Sequence, residues 1–253
     1  FTLAGVLTIV LGSILQRKIL LPKRSAIGKI GLLSLLQTVL QYLFFYIGLA
    51  HTTGVKASII EAVSTFVAIL VAGYLFHQET VTSRKMLGCL IGFAGVVLVN
   101  VAGSGMDFHF SPAGDGCILL STVAYAFSSV CMKRFSQKED PVMLSGYQFI
   151  LGGIVMIACG AAMGGHLKAF TASAAALLIY MAMISAVAYS LWGMLLKYNP
   201  VSKVTVFGFM NPVIGVILSA LLLNETESLG VSSVLALGLV CVGIYIVNAK
   251  DKD

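Results

Sequence analysis

Nine apolar runs follow one another along the chain, each bounded by polar, Gly or Pro positions: residues 1–16, 30–50, 57–76, 86–103, 115–132, 143–164, 173–196, 204–223 and 231–248. Each lies near the ~20 residues a helix needs to cross a bilayer core. The runs are too long and too continuous for the alternating ~10-residue strands of a membrane barrel, and the connections are too short for a separate soluble domain. The pattern predicts an all-α polytopic membrane protein.

Within the third run, helical spacing of about 100° per residue puts Ala57, Ser58, Glu61, Ser64, Thr65, Ala68 and Ala72 on one face. Ile59, Val63, Phe66, Leu70 and Tyr74 share the opposite face. The small polar face is expected to pack and the larger apolar face to meet lipid. Glu61 alone among the acidic residues falls well inside an apolar run, where an ionised carboxylate costs about 2.5–3.5 kcal/mol on insertion scales. It is therefore expected to turn to a partner or a cavity, or to carry a proton. Its functional reading is a proton-coupling or substrate-ammonium carboxyl, and its structural reading is a neutral acid hydrogen-bonded between helices.

Other polar side chains inside apolar runs are candidates to line a substrate path or to join helices. They are Gln37 and Gln41 in the second run, Tyr125 and Ser128 in the fifth, Ser185, Tyr189 and Trp192 in the seventh, and Asn211 beside Pro212 in the eighth. A single interhelical hydrogen bond of this kind averages only ~0.6 kcal/mol, so its energy does not decide between the two roles. Glu79 and Glu225 stand at helix ends near water and read as structural, capping the next helix or fixing a loop. Gly88, Gly92 and Gly95, and the pair Gly160 and Gly164, have the small-residue spacing that lets two helices approach closely.

Composition sharpens this picture. With 58% hydrophobic and 10% charged residues and a mean hydropathy of +0.99, there is too little polar surface to cover a soluble domain. The net charge of +6 would suit a nucleic-acid surface, but its distribution argues against that partner. If the loop over residues 16–30 is cytoplasmic, all of the 16 basic residues except Lys56 and Lys168 fall on the cytoplasmic side. That is a positive-inside bias, and it orients every helix at once. The five cysteines lie within apolar runs without metal spacing, and the four histidines are scattered singly in loops. Neither a metal site nor a cofactor is expected, and no nucleotide-binding motif or catalytic Ser/His/Asp set is present.

The chain also echoes itself. Gly95-Val-Val-Leu-Val-Asn100 recurs as Gly243-Ile-Tyr-Ile-Val-Asn248, and Phe1-Thr-Leu-Ala-Gly-Val6 as Phe149-Ile-Leu-Gly-Gly-Ile154, both at an offset of 148. The helix ending in Glu79 matches that ending in Glu225 at an offset of 146. Matches that keep their order argue for an internal duplication, with a first repeat over 1–103 and a second over 104–253. The run at 115–132 has no counterpart before Phe1, so a complete protein of two five-helix repeats is expected, with the first helix absent from this chain. An odd number of helices per repeat inserts the copies in opposite directions, which is an architecture of secondary transporters.

Gly114-Asp-Gly through Tyr147-Gln-Phe149, and Asn211-Pro-Val-Ile-Gly-Val-Ile-Leu-Ser-Ala-Leu-Leu-Leu-Asn-Glu225, resemble the drug/metabolite transporter superfamily, EamA-type branch. The resemblance covers essentially the whole chain. It implies ten helices in two inverted five-helix repeats, a central cavity and a multi-pass protein of the bacterial plasma (inner) membrane with a cytoplasmic C-terminus. It also implies traffic in amino acids and other small metabolites, often outward. The family's Pro thirteen residues before the Glu of each repeat is present as Pro212, while the matching position of the first repeat is Phe66. The expected partners are a small-molecule substrate, lipid and protons, and a homodimer is compatible. Uptake or exchange of a sugar-like solute is the alternative within transport. An intramembrane enzyme acting on lipid headgroups is the alternative outside it, though Glu61 has no charged neighbour in the other apolar runs with which to form an acid/base set.

Overall fold

The computed structural model describes residues 1–104, 110–165, 171–214, 218 and 231–249. Among them the regular structure is entirely helical, in nine helices. These are α1 (Thr2–Leu15), α2 (Arg24–Leu49), α3 (Gly54–Leu70, continuing through Val71–Leu75), α4 (Ser83–Ser104), α5 (Pro112–Ser136), α6 (Pro141–Ala162), α7 (Ala172–Tyr198), α8 (Val201–Ile214) and α9 (Val231–Asn248). Five of them, α2, α3, α5, α6 and α7, are long and apolar enough to cross a membrane. Glu225 lies outside the described residues.

The apolar runs locate every helix, and local chemistry moves the ends. Helix α2 begins at Arg24 rather than at residue 30, because Pro22 stops the preceding chain and Ala26 and Ile30 then bury one face of a new helix. Lys29 is tolerated inside it by an ion pair 2.6 Å long with Glu139. Helix α6 opens with Pro141 in its first turn behind Asp140, whose Oδ1 accepts from the backbone N–H of Val142 and Met143 at 2.9 and 3.1 Å.

The same helix closes on Gly164 at φ +83°. There the Gly165 N–H bonds to the Gly160 carbonyl and the Gly164 N–H to that of Ala161, the paired pattern of a left-handed helix terminator. The spacing of Gly160 and Gly164 predicts helix packing, but among the described residues a Cβ added at either would meet nothing within 4 Å. They end the helix instead. Pro212 removes the N–H that would bond to the Gly208 carbonyl, and the stretch Val206–Phe209 just before it tightens into a 3-10 turn.

Contacts divide the chain into two compact units, and each draws on both halves of the sequence. One comprises residues 1–43 and 127–199, the other 44–126 and 200–253. In the first unit α1 packs most extensively on α6, and in the second α4 packs on α9. A Cβ added at Gly88 would stand 2.9 Å from the Gly243 carbonyl oxygen, and one at Gly95 would stand 2.8 Å from that of Ala236. A shift of each partner by the repeat offset turns the first contact into the second. In the first unit a Cβ at Gly5 would stand 2.7 Å from the Ile150 nitrogen, while one at Gly153 would meet Thr2, which is again one contact and its shifted image. Along both pairs the residue numbers rise on one helix as they fall on the other, so the matched helices run antiparallel. A reciprocal contact of this kind is what a two-fold relation between copies produces.

Candidate functional site

Helix α3 starts behind Thr53, whose hydroxyl accepts from the Lys56 N–H at 3.3 Å. Its small face does pack: Ala57, Thr65, Ala68 and Ala72 are buried, and Thr65 donates to the Thr205 carbonyl at 3.1 Å. Leu70 and Tyr74 face outward. Phe66 departs from the expected lipid-facing stripe. Gly92 leaves room for the ring of Phe209, and Phe66 seats against Phe209 and Phe93 with centroids 6.4 and 5.8 Å away.

Glu61, on the packed side of this helix, is nevertheless exposed. No described residue forms a hydrogen bond or ion pair with its carboxyl. It stands seven residues from Gly54, roughly 10 Å along the axis at 1.5 Å per residue, which is short of the middle of a span. Of the expected arrangements, a protein partner among the described residues is removed, and an accessible carboxyl able to take a proton or a cation is left.

Two ionic clusters occupy the ends of the second unit. The Glu79 carboxylate holds the Lys85 ammonium at 2.8 Å, accepts from the Ser202 backbone N–H at 2.9 Å and bonds to the Ser202 hydroxyl. Lys85 also donates to the Thr80 carbonyl at 2.7 Å. Both charged side chains are more than nine-tenths buried. Glu79 thus caps α8, more than a hundred residues away, rather than the next helix. The Asp115 carboxylate, also buried, bonds to Thr52, accepts from the Ser111 N–H at 2.9 Å and lies 3.8 Å from Lys56. Tyr125 is partly buried on α5, Asn211 is exposed on α8 and Pro212 is partly buried beside it. Gly88, Gly92 and Gly95 lie in the α4 face described above, against α9 and Phe209.

The first unit brings together most of the uncharged candidates. Gln37 is buried and Gln41 partly buried on α2, and neither Oε1 has a hydrogen-bond partner among the described residues. Residues Ser34–Leu40 there are π-helical, a form that recurs at functional sites. Thr38 donates to Gln148 Oε1 on α6 at 2.9 Å. One turn further on, Tyr42 and Tyr189 join hydroxyls at 2.5 Å, and the rings of Phe1 and Phe149 pack against them. Ser128 is buried, and Trp192 is partly buried on α7. Ser185 is spent locally, since its hydroxyl donates to the Met181 carbonyl of its own helix at 2.9 Å. Gln148 is the functional candidate that sequence reasoning passed over. Its signal was there, as the one amide in the 143–164 run.

Residues 1–101 and again 112–249 match the EamA-like transporter family. The chain belongs to this family. Among its relatives, an uncharacterized transporter of Archaeoglobus fulgidus is 28% identical over 94% of this chain and 82% of its own length. The Bacillus subtilis uncharacterized transporter YvbV is 27% identical over 87% and 71%, and the Escherichia coli uncharacterized inner membrane transporter YedA 29% over 78% and 65%. The chain spans about half the length of a further relative, the WAT1-related chloroplastic protein At3g02690 of Arabidopsis thaliana, at 27% identity. One solved crystal structure superposes with a TM-score of 0.81 at 18% identity, over 97% of this chain and 85% of that one, a likeness of fold. The EamA-type chain is thus a membrane-embedded, multi-pass helical protein of transporter kinship.

Proposed function

We propose that this EamA-type protein is a secondary transporter, carrying a small polar metabolite by alternating access between two inverted repeats, with efflux of amino acids or related compounds as the leading role. The observation that carries the reading is Glu61, an accessible carboxyl without a described partner inside a membrane-spanning helix. An ionisable group at that place with no partner among the described residues can exchange a proton or hold a substrate ammonium. The reciprocal antiparallel contacts of α1 with α6 and of α4 with α9 support the inverted duplication that alternating access uses. The charge bias favours a plasma-membrane protein with its C-terminus in the cytoplasm, and protons are the coupling partner of choice.

The test is export. Cells with and without the intact gene are loaded with a panel of labelled amino acids, sugars and other polar metabolites, and the medium is followed over time. Faster appearance of amino-acid label in cells carrying the gene is expected. Export confined to sugars would move the substrate class to the sugar-like alternative, and no difference across the panel would contradict transport outward.

A further inference from the structure

Resting on the transport reading above, we propose that the buried amides Gln37 and Gln148, with Gln41 and Thr38, form a recognition site for an uncharged group that both donates and accepts hydrogen bonds, a carboxamide or a hydroxyl.

Gln37 lies halfway along α2, with Ser34 and Thr38 buried beside it, while Gln148 is fully buried on α6. Thr38 ties the two helices together through Gln148 Oε1. Gly152 allows that approach, since a Cβ there would stand 2.5 Å from that of Thr38. The hydrogen bonds do not close on themselves. Among the described residues Gln148 Nε2 has no acceptor, and the side-chain oxygens of Gln37 and Gln41 have no donor. Turning the Gln148 amide over exchanges which of its atoms is unmet but leaves the deficit. Native interiors rarely leave such atoms unpaired, and inside a bilayer no bulk water is at hand to pair them.

The π-helical stretch belongs to the same feature. The Gln41 N–H bonds five residues back to the Leu36 carbonyl, so this turn is wider than an α turn where the amides sit. The ligand class follows from charge. Residues 30–43 of α2, 141–162 of α6, 2–15 of α1 and 172–196 of α7 contain no Lys, Arg, His, Asp or Glu. A carboxylate or ammonium seated there would go uncompensated, whereas a neutral amide offers a carbonyl to Gln148 Nε2 and an N–H to Gln37 or Gln41. The rings of Tyr42, Phe149 and Tyr189 supply an apolar wall one turn away.

The experiment uses the full chain in lipid nanodiscs and the fluorescence of its single tryptophan, Trp192, which lies on α7 one turn beyond Tyr189. The probes are L-glutamine, L-glutamate and L-methionine, of similar shape and differing in whether the end is an amide, a charge or a thioether. L-glutamine is expected to change the emission saturably and to bind at least tenfold more tightly than the other two. Gln148→Met and Thr38→Val should each weaken that binding at least tenfold. If Gln148→Met does not fold, Gln148→Glu keeps the acceptor for Thr38 and is expected to lose the same preference. The proposal is overturned if no probe gives a saturable change, which would mean that water alone serves these amides. It is also overturned if the three probes bind alike, or if the glutamine preference survives in the Gln148 variants. Selective binding without flux into vesicles would sink the transport reading and leave the site; flux of L-glutamine with an unchanged KM in the variants would do the reverse.

Discussion

Glu61 and Glu79 are both carboxylates of the second unit, and their surroundings assign them opposite behaviour. Glu61 has no described partner to lose, so Glu61→Gln is expected to insert and unfold like the parent, within about 0.5 kcal/mol, as substitutions away from packed or paired features do. Unfolding in mixed micelles measures this, and a loss of several kcal/mol would reveal a structural tie. Glu79 is the reverse case. Its removal strands the Lys85 ammonium with under a tenth of its side chain exposed and leaves the start of α8 without its cap. Glu79→Ala should therefore cost about 3–5 kcal/mol, the range for breaking a buried pair from one side. A double change of Glu79→Leu with Lys85→Met should recover much of it. If Glu79→Ala were neutral by the same measurement, the cluster would be a surface pair in effect. The sequence allowed Glu79 to be read as a capping residue, because an acidic residue after an apolar run has few other tasks. It did not name α8 as the helix capped, since that contact spans 123 residues and depends on tertiary packing.

Among the elements, α9 carries its own control. Gly243 faces α4 so closely that a Cβ there would stand 2.6 Å from both the Gly88 oxygen and the Gly92 nitrogen, whereas Gly238 meets none of the described residues within 4 Å. Gly243→Ala forces two backbones apart and should destabilise by about 1–3 kcal/mol. Gly238→Ala should instead gain up to about 1 kcal/mol from better helix propensity. Unfolding of the two single variants side by side tests this, and equal effects would contradict the packing described for α4 and α9. Helix existence was legible throughout, because membrane-length apolar runs have few alternatives. The ends were less so. Arg24 to Lys29 reads as a basic loop, yet the Lys29–Glu139 pair and the burial of Ala26 fold it into α2. The glycine spacing at 160 and 164 resembles a packing motif, and only the left-handed φ at Gly164 separates a terminator from an interface. The polar stripe of α2 was visible as Gln37 and Gln41, while the π-helical turn that carries it and the partner Gln148 on α6 depend on backbone geometry and packing that spacing does not encode.

At the scale of the whole molecule, the antiparallel reciprocity of α1 with α6 and α4 with α9 agrees with repeats that insert in opposite directions. On the charge bias the 137–140 turn is expected inside and the 110–116 turn outside. In a cysteine-free background, Ala113→Cys should label with an impermeant thiol reagent from outside intact cells and Gln137→Cys only after permeabilisation, both positions being exposed; the opposite labelling would reverse the orientation. The proposed transport moves a small polar solute at the expense of a gradient, with Glu61 as the coupling group. The most direct measurement places the full protein in liposomes under an imposed proton gradient and follows labelled amino acids. Accumulation beyond equilibrium is expected with the parent chain, and at most equilibration with Glu61→Gln, because the amide keeps the shape but cannot exchange a proton. Accumulation by Glu61→Gln equal to the parent's, or no gradient-dependent movement of any solute by the parent, would contradict it.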